Sequence, residues 1–325
     1  MIIFVFKMKI NEAYNKIMEA PYYFTCDDTI DFDITESIKI DYTTLKCIYD
    51  YLTLPMIWIM RWKTLPPKEI LYRPDYQDTH YQITLAMIWI RCCESPLPKE
   101  LLHDPHLQDF CGETCATLWI KMHKSIPPIE ILYESSFQNK DGMTCAMLYI
   151  ITLHQEPPEE ILHDPSLQNR DGMTCAMLWI KINKSIPPAE LLHNSSLQNN
   201  NGETCAMLYI ITLHQEPPEE LLHDPSLQDR TGETCAMIWI KVCHTIPPIR
   251  IRHDPSIQNR RGNTCAMIWI KTCHSMPVKL IMHEPNLQNY SGHTCADFWR
   301  KYVGSPFIPE DLIPLPFSNH INLIN

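Results

Sequence analysis

Two columns of residues in this sequence are of types that perform chemistry. Cys115, Cys145, Cys175, Cys205, Cys235, Cys265 and Cys295 recur every 30 residues, and His103, His163, His193, His223, His253 and His283 fall on the same 30-residue grid. Thiolates and imidazoles are the usual zinc ligands, and a histidine followed by an aspartate suggests acid–base work. Spacing argues against both. Equivalent residues of stacked helical units lie about 8–10 Å apart. A disulfide needs Cα atoms within about 7 Å, and tetrahedral zinc needs every sulfur near ~2.3 Å. The cysteines are therefore expected to be small buried thiols at a helix start. Cys243 and Cys273 meet the same objection, while Cys92-Cys93 and the Cys111/Cys115 pair are local departures, at most redox-sensitive. Six equivalent histidines point to a structural role, because an active site is normally singular. No catalytic, cofactor-binding or metal-binding residue is assigned, and no catalysis or cofactor is expected. The sequence holds no H-E-x-x-H, G-x-S-x-G, C-x-x-C or phosphate-cradling glycine loop.

A third column, Trp58, Trp89, Trp119, Tyr149, Trp179, Tyr209, Trp239, Trp269 and Trp299, could stack nucleic-acid bases if exposed. Its apolar neighbours favour core packing. The net charge of −11, from 27 basic and 38 acidic residues, also disfavours phosphate binding.

The elements that must carry these columns follow from the glycines. Of eight, seven are Gly112, Gly142, Gly172, Gly202, Gly232, Gly262 and Gly292, each 30 residues from the next. A fixed period in this range marks a solenoid of stacked units. A threonine column (Thr84, Thr114, Thr144, Thr174, Thr204, Thr234, Thr264, Thr294) and an earlier copy from Thr53 make nine units. The units from Thr144 and Thr204 are nearly identical and suggest a duplicated pair. Within a unit, Thr174 predicts a helix N-cap and ten residues follow it without Gly or Pro. Ala176, Leu178, Trp179 and Ile180 predict a helix enclosed between neighbours. Pro187-Pro188, paired prolines that recur in most units, block that helix and predict a short second one in which Leu191 and Leu192 are buried. The stretch from His163 to Gly172 predicts a loop opened by an Asp-Pro turn, with the glycine supplying positive φ or close approach.

These residues resemble the ankyrin repeat, whose first helix reads D-x-x-G-x-T-P-L-H-x-A with a period of about 33. Asp171-Gly172-Met173-Thr174 matches its turn and helix start, Leu191-Leu192 its terminal pair, and Gln168-Asn169 the segment before its hairpin tip. The departures are systematic: Cys for Pro, Met for His, Pro-Pro for the interhelical Gly, and a bulky aromatic near a usual Ala. The resemblance spans about Thr53 to Leu312. It implies an all-α helix-turn-helix solenoid with reduced hairpin loops, and a different helical-hairpin solenoid is the alternative. It also implies a protein partner met at the hairpin tips and the exposed side of the first helix. The tips are Phe110-Cys111, Lys140-Asp141, Arg170-Asp171, Asn200-Asn201, Arg230-Thr231, Arg260-Arg261 and Tyr290-Ser291. The tips vary among copies, as do the residues after each glycine: Glu113, Met143, Met173, Glu203, Glu233, Asn263 and His293. All these positions are therefore expected to face solvent, which suits binding and mere tolerance equally. Arg230, Arg260 and Arg261 form a basic end on an acidic chain and suggest an acidic partner.

The expected organisation is an arm and capping helix over 1–52, the array over 53–312 and a tail over 313–325. Asp297 and Arg300-Lys301 alter the last unit as a cap requires. No run approaches the roughly 18 apolar residues of a membrane helix. Met1 to Phe6 is too short for a signal core, so the N-x-Ser sequons read as chance and the chain as cytoplasmic. The expected function is a monomeric protein-binding scaffold, with no nucleic-acid or membrane partner. The alternative is a metal- or redox-responsive protein using its 14 cysteines.

Overall fold

Thr174 stands in extended backbone (φ −87°, ψ 171°) and its hydroxyl accepts the Met177 N–H, which satisfies one of the unpaired donors of a helix start. This arrangement recurs at every repeat threonine from Thr84 to Thr294. The computed structural model describes residues 53–313 apart from 69–70, 72–73, 79 and 133–135. The arm and capping helix expected over 1–52, and the tail beyond 313, lie outside the described residues.

Among the described residues the α-helices are α1 (Leu54–Trp62), α2 (Leu85–Cys92), α3 (Cys115–His123), α4 (Cys145–Leu153), α5 (Cys175–Asn183), α6 (Cys205–Leu213), α7 (Cys235–Cys243), α8 (Cys265–Cys273) and α9 (Cys295–Phe298). The last runs on as one π turn, Trp299–Val303. No strand forms among them. In α5, Cys175, Ala176, Met177, Leu178 and Ile180 are all buried. A helix apolar on nearly every side must have neighbours on both flanks, and the substantial packing runs between consecutive helices. Burying each Leu, Ile or Met contributes about 1.5–3 kcal/mol. No unit encloses its own core, so the units stabilise one another. The aromatic column packs at the edge of this core: Trp89, Tyr149, Tyr209 and Trp269 are buried, and Trp58, Trp119, Trp179, Trp239 and Trp299 are half-buried.

All the helices but α2, which ends at extended Cys93, and α9, which continues into the π turn, stop at a residue in the left-handed region. Lys184 (φ 51°) caps α5 by donating its N–H to the Ile180 carbonyl. Pro187-Pro188 then carry the chain away extended (Pro188 φ −53°, ψ 151°). The expected second helix is only a single 3₁₀ turn, Ala189–Leu191, with Leu191 buried and Leu192 already extended. So few residues separate the prolines from the following turn that an α-helix has no length in which to become stable. In the unit before, Asp164 precedes a proline, which keeps it out of the α region. The Asp-Pro turn forms as expected, with the Leu167 N–H donating to the Asp164 carbonyl (3.1 Å).

The reduced hairpin keeps a defined geometry. The Asn169 N–H donates to the Met173 carbonyl (2.9 Å), and the Gly172 N–H donates back to Asn169 (2.8 Å). Asn169 Oδ1 accepts from the Asp171 and Met173 N–H groups. Successive hairpins join through one backbone bond each, such as Arg170 N–H to Asp141 O (2.7 Å) and Asn200 N–H to Asp171 O (2.9 Å). A glutamine column doubles this ladder. Gln168 Nε2 donates to Gly172 O (2.6 Å) in its own hairpin and to Gln198 O (2.9 Å) in the next. Gly172 needs both freedoms expected of it: φ is +74°, and a Cβ there would sit 2.7 Å from the Asn200 nitrogen.

Candidate interaction surface

The ladder fixes the height and spacing of the hairpin tips while leaving their side chains outward. All twelve candidate partner-binding residues, Lys140 to Ser291 in pairs, are exposed. Behind them each helix exposes the residue nine past the glycine: Lys121, Ile151, Lys181, Ile211, Lys241, Lys271 and Lys301 in turn. Tips and column thus share one side of the array.

The residues directly after the glycines correct the expectation of exposure. Glu113, Met143, Met173 and Glu233 are buried, Glu203 and Asn263 are half-buried, and His293 alone is exposed. They lie between the hairpins and the helix column and make specific contacts. Glu113 pairs with Lys121 and accepts from Asn139 Nδ2 (2.7 Å); Glu233 pairs with Lys241. Variation among copies here reflects a change of partner, not solvent exposure.

Towards the C-terminal end this side forms two contiguous grooves of about 640 and 810 Å³ that share Arg260, Arg261, Asn263 and Lys271. The other wall is the π turn, whose Lys301 and Tyr302 line the first groove. His274 Nδ1 bonds the Tyr302 carbonyl (2.9 Å) and ties that turn to α8. Asp297 replaces a methionine that is otherwise buried in the repeats. It caps Thr294 and pairs with Arg300 (3.0 Å), which is how the terminal helix exchanges an apolar flank for a polar one.

The chemical columns meet in an arrangement that sequence spacing alone does not reveal. His163 Nδ1 faces the Asp164 carbonyl (2.7 Å), which only accepts, so the neutral ring carries its proton there. Nε2 is left as acceptor for the Thr144 hydroxyl (2.6 Å), and the Cys175 sulfur of the next unit lies 3.5 Å away. One imidazole thereby joins the N-cap of its own unit to the thiol of the following helix. The same Thr–His contact recurs at His103, His193, His223 and His253, and the Cys–His contact also at His283. Burial lowers the pKa of all six histidines. Burial likewise pushes the seven thiols of the cysteine column up to about 12. Thiols held protonated are the reverse of what thiolate ligation or thiolate chemistry requires. Among the described residues, no group of three or more His, Cys, Asp or Glu side chains is placed to hold a metal ion. None of their helices is long and apolar enough to cross a membrane.

No family model matches this chain, and no curated protein matches it. Among solved structures it is similar to a chain from the complex of the Bd0816 predatory endopeptidase of Bdellovibrio bacteriovorus with the immunity protein Bd3460. That likeness is at 15% identity with a TM-score of 0.34, over 46% of this chain and 84% of that one. It is too slight to bear on fold or function.

Proposed function

We propose that the chain is a divergent ankyrin-like array that captures a protein partner along its hairpin tips and the helix column behind them. It does so as a cytoplasmic monomer, without catalysis or cofactor. One observation carries the reading. Backbone and glutamine ladders hold every tip in a fixed row, yet the exposed tip residues differ from copy to copy. A rigid frame presenting a varied row of side chains is what recognition by an extended surface requires. The high pKa of the buried thiols weighs against the metal- or redox-responsive alternative.

Affinity capture of the tagged chain from its own cell's lysate, read by mass spectrometry, tests the proposal. The control is the variant R230E/R260E/R261E. A stoichiometric partner captured by the wild type and lost by the variant is the expected result. Absence of a partner from both samples would count against a scaffold role.

A further inference from the structure

The cations of the array fall into two classes. Lys121 and Lys241 are clamped by Glu113 and Glu233, Arg91 by Asp109 (2.6 Å), and Arg170 lies beside Asp141 (4.0 Å). Lys140 sits over the Phe110 ring, 3.8 Å from its centre. In the C-terminal groove the pattern breaks. Met173 leaves Lys181 without an acid as an isolated case, whereas Asn263 and His293, standing where Glu113 and Glu233 stand in other units, leave the adjacent Lys271 and Lys301 without theirs. Arg230, Arg260 and Arg261 also have no carboxylate partner among the described residues. The two lysines instead flank Tyr302, at 6.0 and 5.3 Å from its ring centre. A chain of net charge −11 thus concentrates unpaired cations in one groove.

Self-repulsion among such cations is unfavourable, and apart from the distant contact of Lys271 with the Tyr302 ring they hold neither groove wall. The spacing is informative as well. The lysine column supplies one cation per unit, and neighbouring units lie about 8–10 Å apart. A peptide in the extended polyproline-II form advances about 3.1 Å per residue with three residues per turn, so every third side chain lies on one face and meets the next unit. We propose that this groove seats an extended acidic peptide lying along the stack, with carboxylates three residues apart against Lys271 and Lys301. Arg260 and Arg261 close over it from the tips, and Tyr290 and Tyr302 provide apolar contact. A nucleic acid fits less well. It carries a charge at every residue and would continue from the basic units onto Glu203 and the acidic remainder of the chain. The proposal rests on the scaffold reading and specifies the partner's chemistry.

Fluorescence anisotropy with the full chain tests it. The probes are a labelled peptide of about twelve residues with glutamate at every third position, the same composition with the glutamates clustered at one end, and an oligothymidylate of similar length. The spaced peptide is expected to bind at low salt, weaken as salt rises, and exceed the clustered one by about fivefold or more. The variant R260E/R261E/K271E should lose about tenfold or more, and K99E/K279E, at exposed lysines outside the tips and the helix column, should stay within about twofold. Both variants are first checked for an unchanged thermal transition. Equal binding of the two peptides, tighter binding of the oligonucleotide, or no binding would each overturn the proposal. If peptides fail while lysate capture still depends on Arg230, Arg260 and Arg261, the acidic-peptide inference falls and the scaffold reading stands.

Discussion

The hairpins from Gly112 to Gly172 and those from Gly232 to Gly292 share one backbone but treat charge in opposite ways. In the first group the tips mostly satisfy each other: Lys140 covers Phe110, Arg170 lies near Asp141 and Glu113 holds Lys121, with Lys181 behind Met173 the exception. In the second, Arg230, Arg260, Arg261, Lys271 and Lys301 have no acid among the described residues, while Lys241 keeps Glu233, Arg250 keeps Glu219 and Arg300 keeps Asp297. The framework is indifferent to this change, because ladder, caps and core use other positions. Function in such an array is therefore located by finding where side chains fail to satisfy one another on a frame that is otherwise uniform.

The largest expected effect attacks the frame that both regions share. His103, His163, His193, His223, His253 and His283 all have folded-state pKa values below the usual 6.5 because burial disfavours the charged ring. Below that value the unfolded chain binds more protons than the folded one. Stability is therefore complete above about pH 6.5 and falls as the pH drops towards the lowered folded values. A charged ring would turn Nε2 into a donor and displace the Thr144 hydroxyl hydrogen and the Cys175 thiol from their acceptor. Thermal melts between pH 7.5 and 5 should show Tm falling steeply and cooperatively. The variant H163Q/H193Q/H223Q keeps an acceptor without a titrating proton and should flatten the slope by about half. An unchanged slope would remove the imidazole bridge from the account.

Next in size is a backbone test that separates interior from end. Gly172 and Gly292 have nearly the same φ, +74° and +77°, but a Cβ at Gly172 collides with the following hairpin while one at Gly292 meets nothing within 4 Å. Gly292→Ala should cost only the left-handed penalty, about 1–2 kcal/mol. Gly172→Ala adds displacement of the ladder and should cost at least about twice as much by chemical denaturation. Equal losses would mean that the hairpins do not bear on one another.

The parts of this structure legible in the sequence are those set by neighbours along the chain. Thr174 as a cap, the apolar run from Cys175 to Ile180, the Asp164-Pro165 turn and the positive φ of Gly172 follow from local chemistry. The second helix failed because its composition was read without its length: Pro188 and the next turn leave room for only one 3₁₀ turn. The positions after the glycines misled because variation was equated with exposure, whereas Glu113 and Met173 are buried and change with their partners. The imidazole bridge was hidden because its bonds span 19 residues to Thr144 and 12 to Cys175. Co-substitution could have exposed it. The units from Thr114 and Thr294, which have no histidine at the bridging position, replace the methionine three past the threonine with a polar residue, and there Thr114 bonds Thr117 and Thr294 bonds Asp297, although the unit from Thr53 lacks the histidine and keeps Met56.

The smallest effect sharpens the opening contrast most. Asn263→Glu installs in the basic groove the acid that Glu113 and Glu233 supply elsewhere, at the same distance along the chain from Lys271 as Glu233 is from Lys241. The Asn289 side chain, which now donates to Asn263 Oδ1 (2.9 Å), can donate to the new carboxylate as Asn139 does to Glu113. Folding stability should rise, by no more than about 1 kcal/mol for so exposed a lysine. Affinity for the spaced acidic peptide should fall severalfold, because Lys271 would be neutralised before the peptide arrives. A gain in stability with no loss of binding would mean that the free lysine plays no part in recognition. A loss of binding with stability unchanged or raised would mean that leaving Lys271 without its acid is what makes this end of the array a binding site.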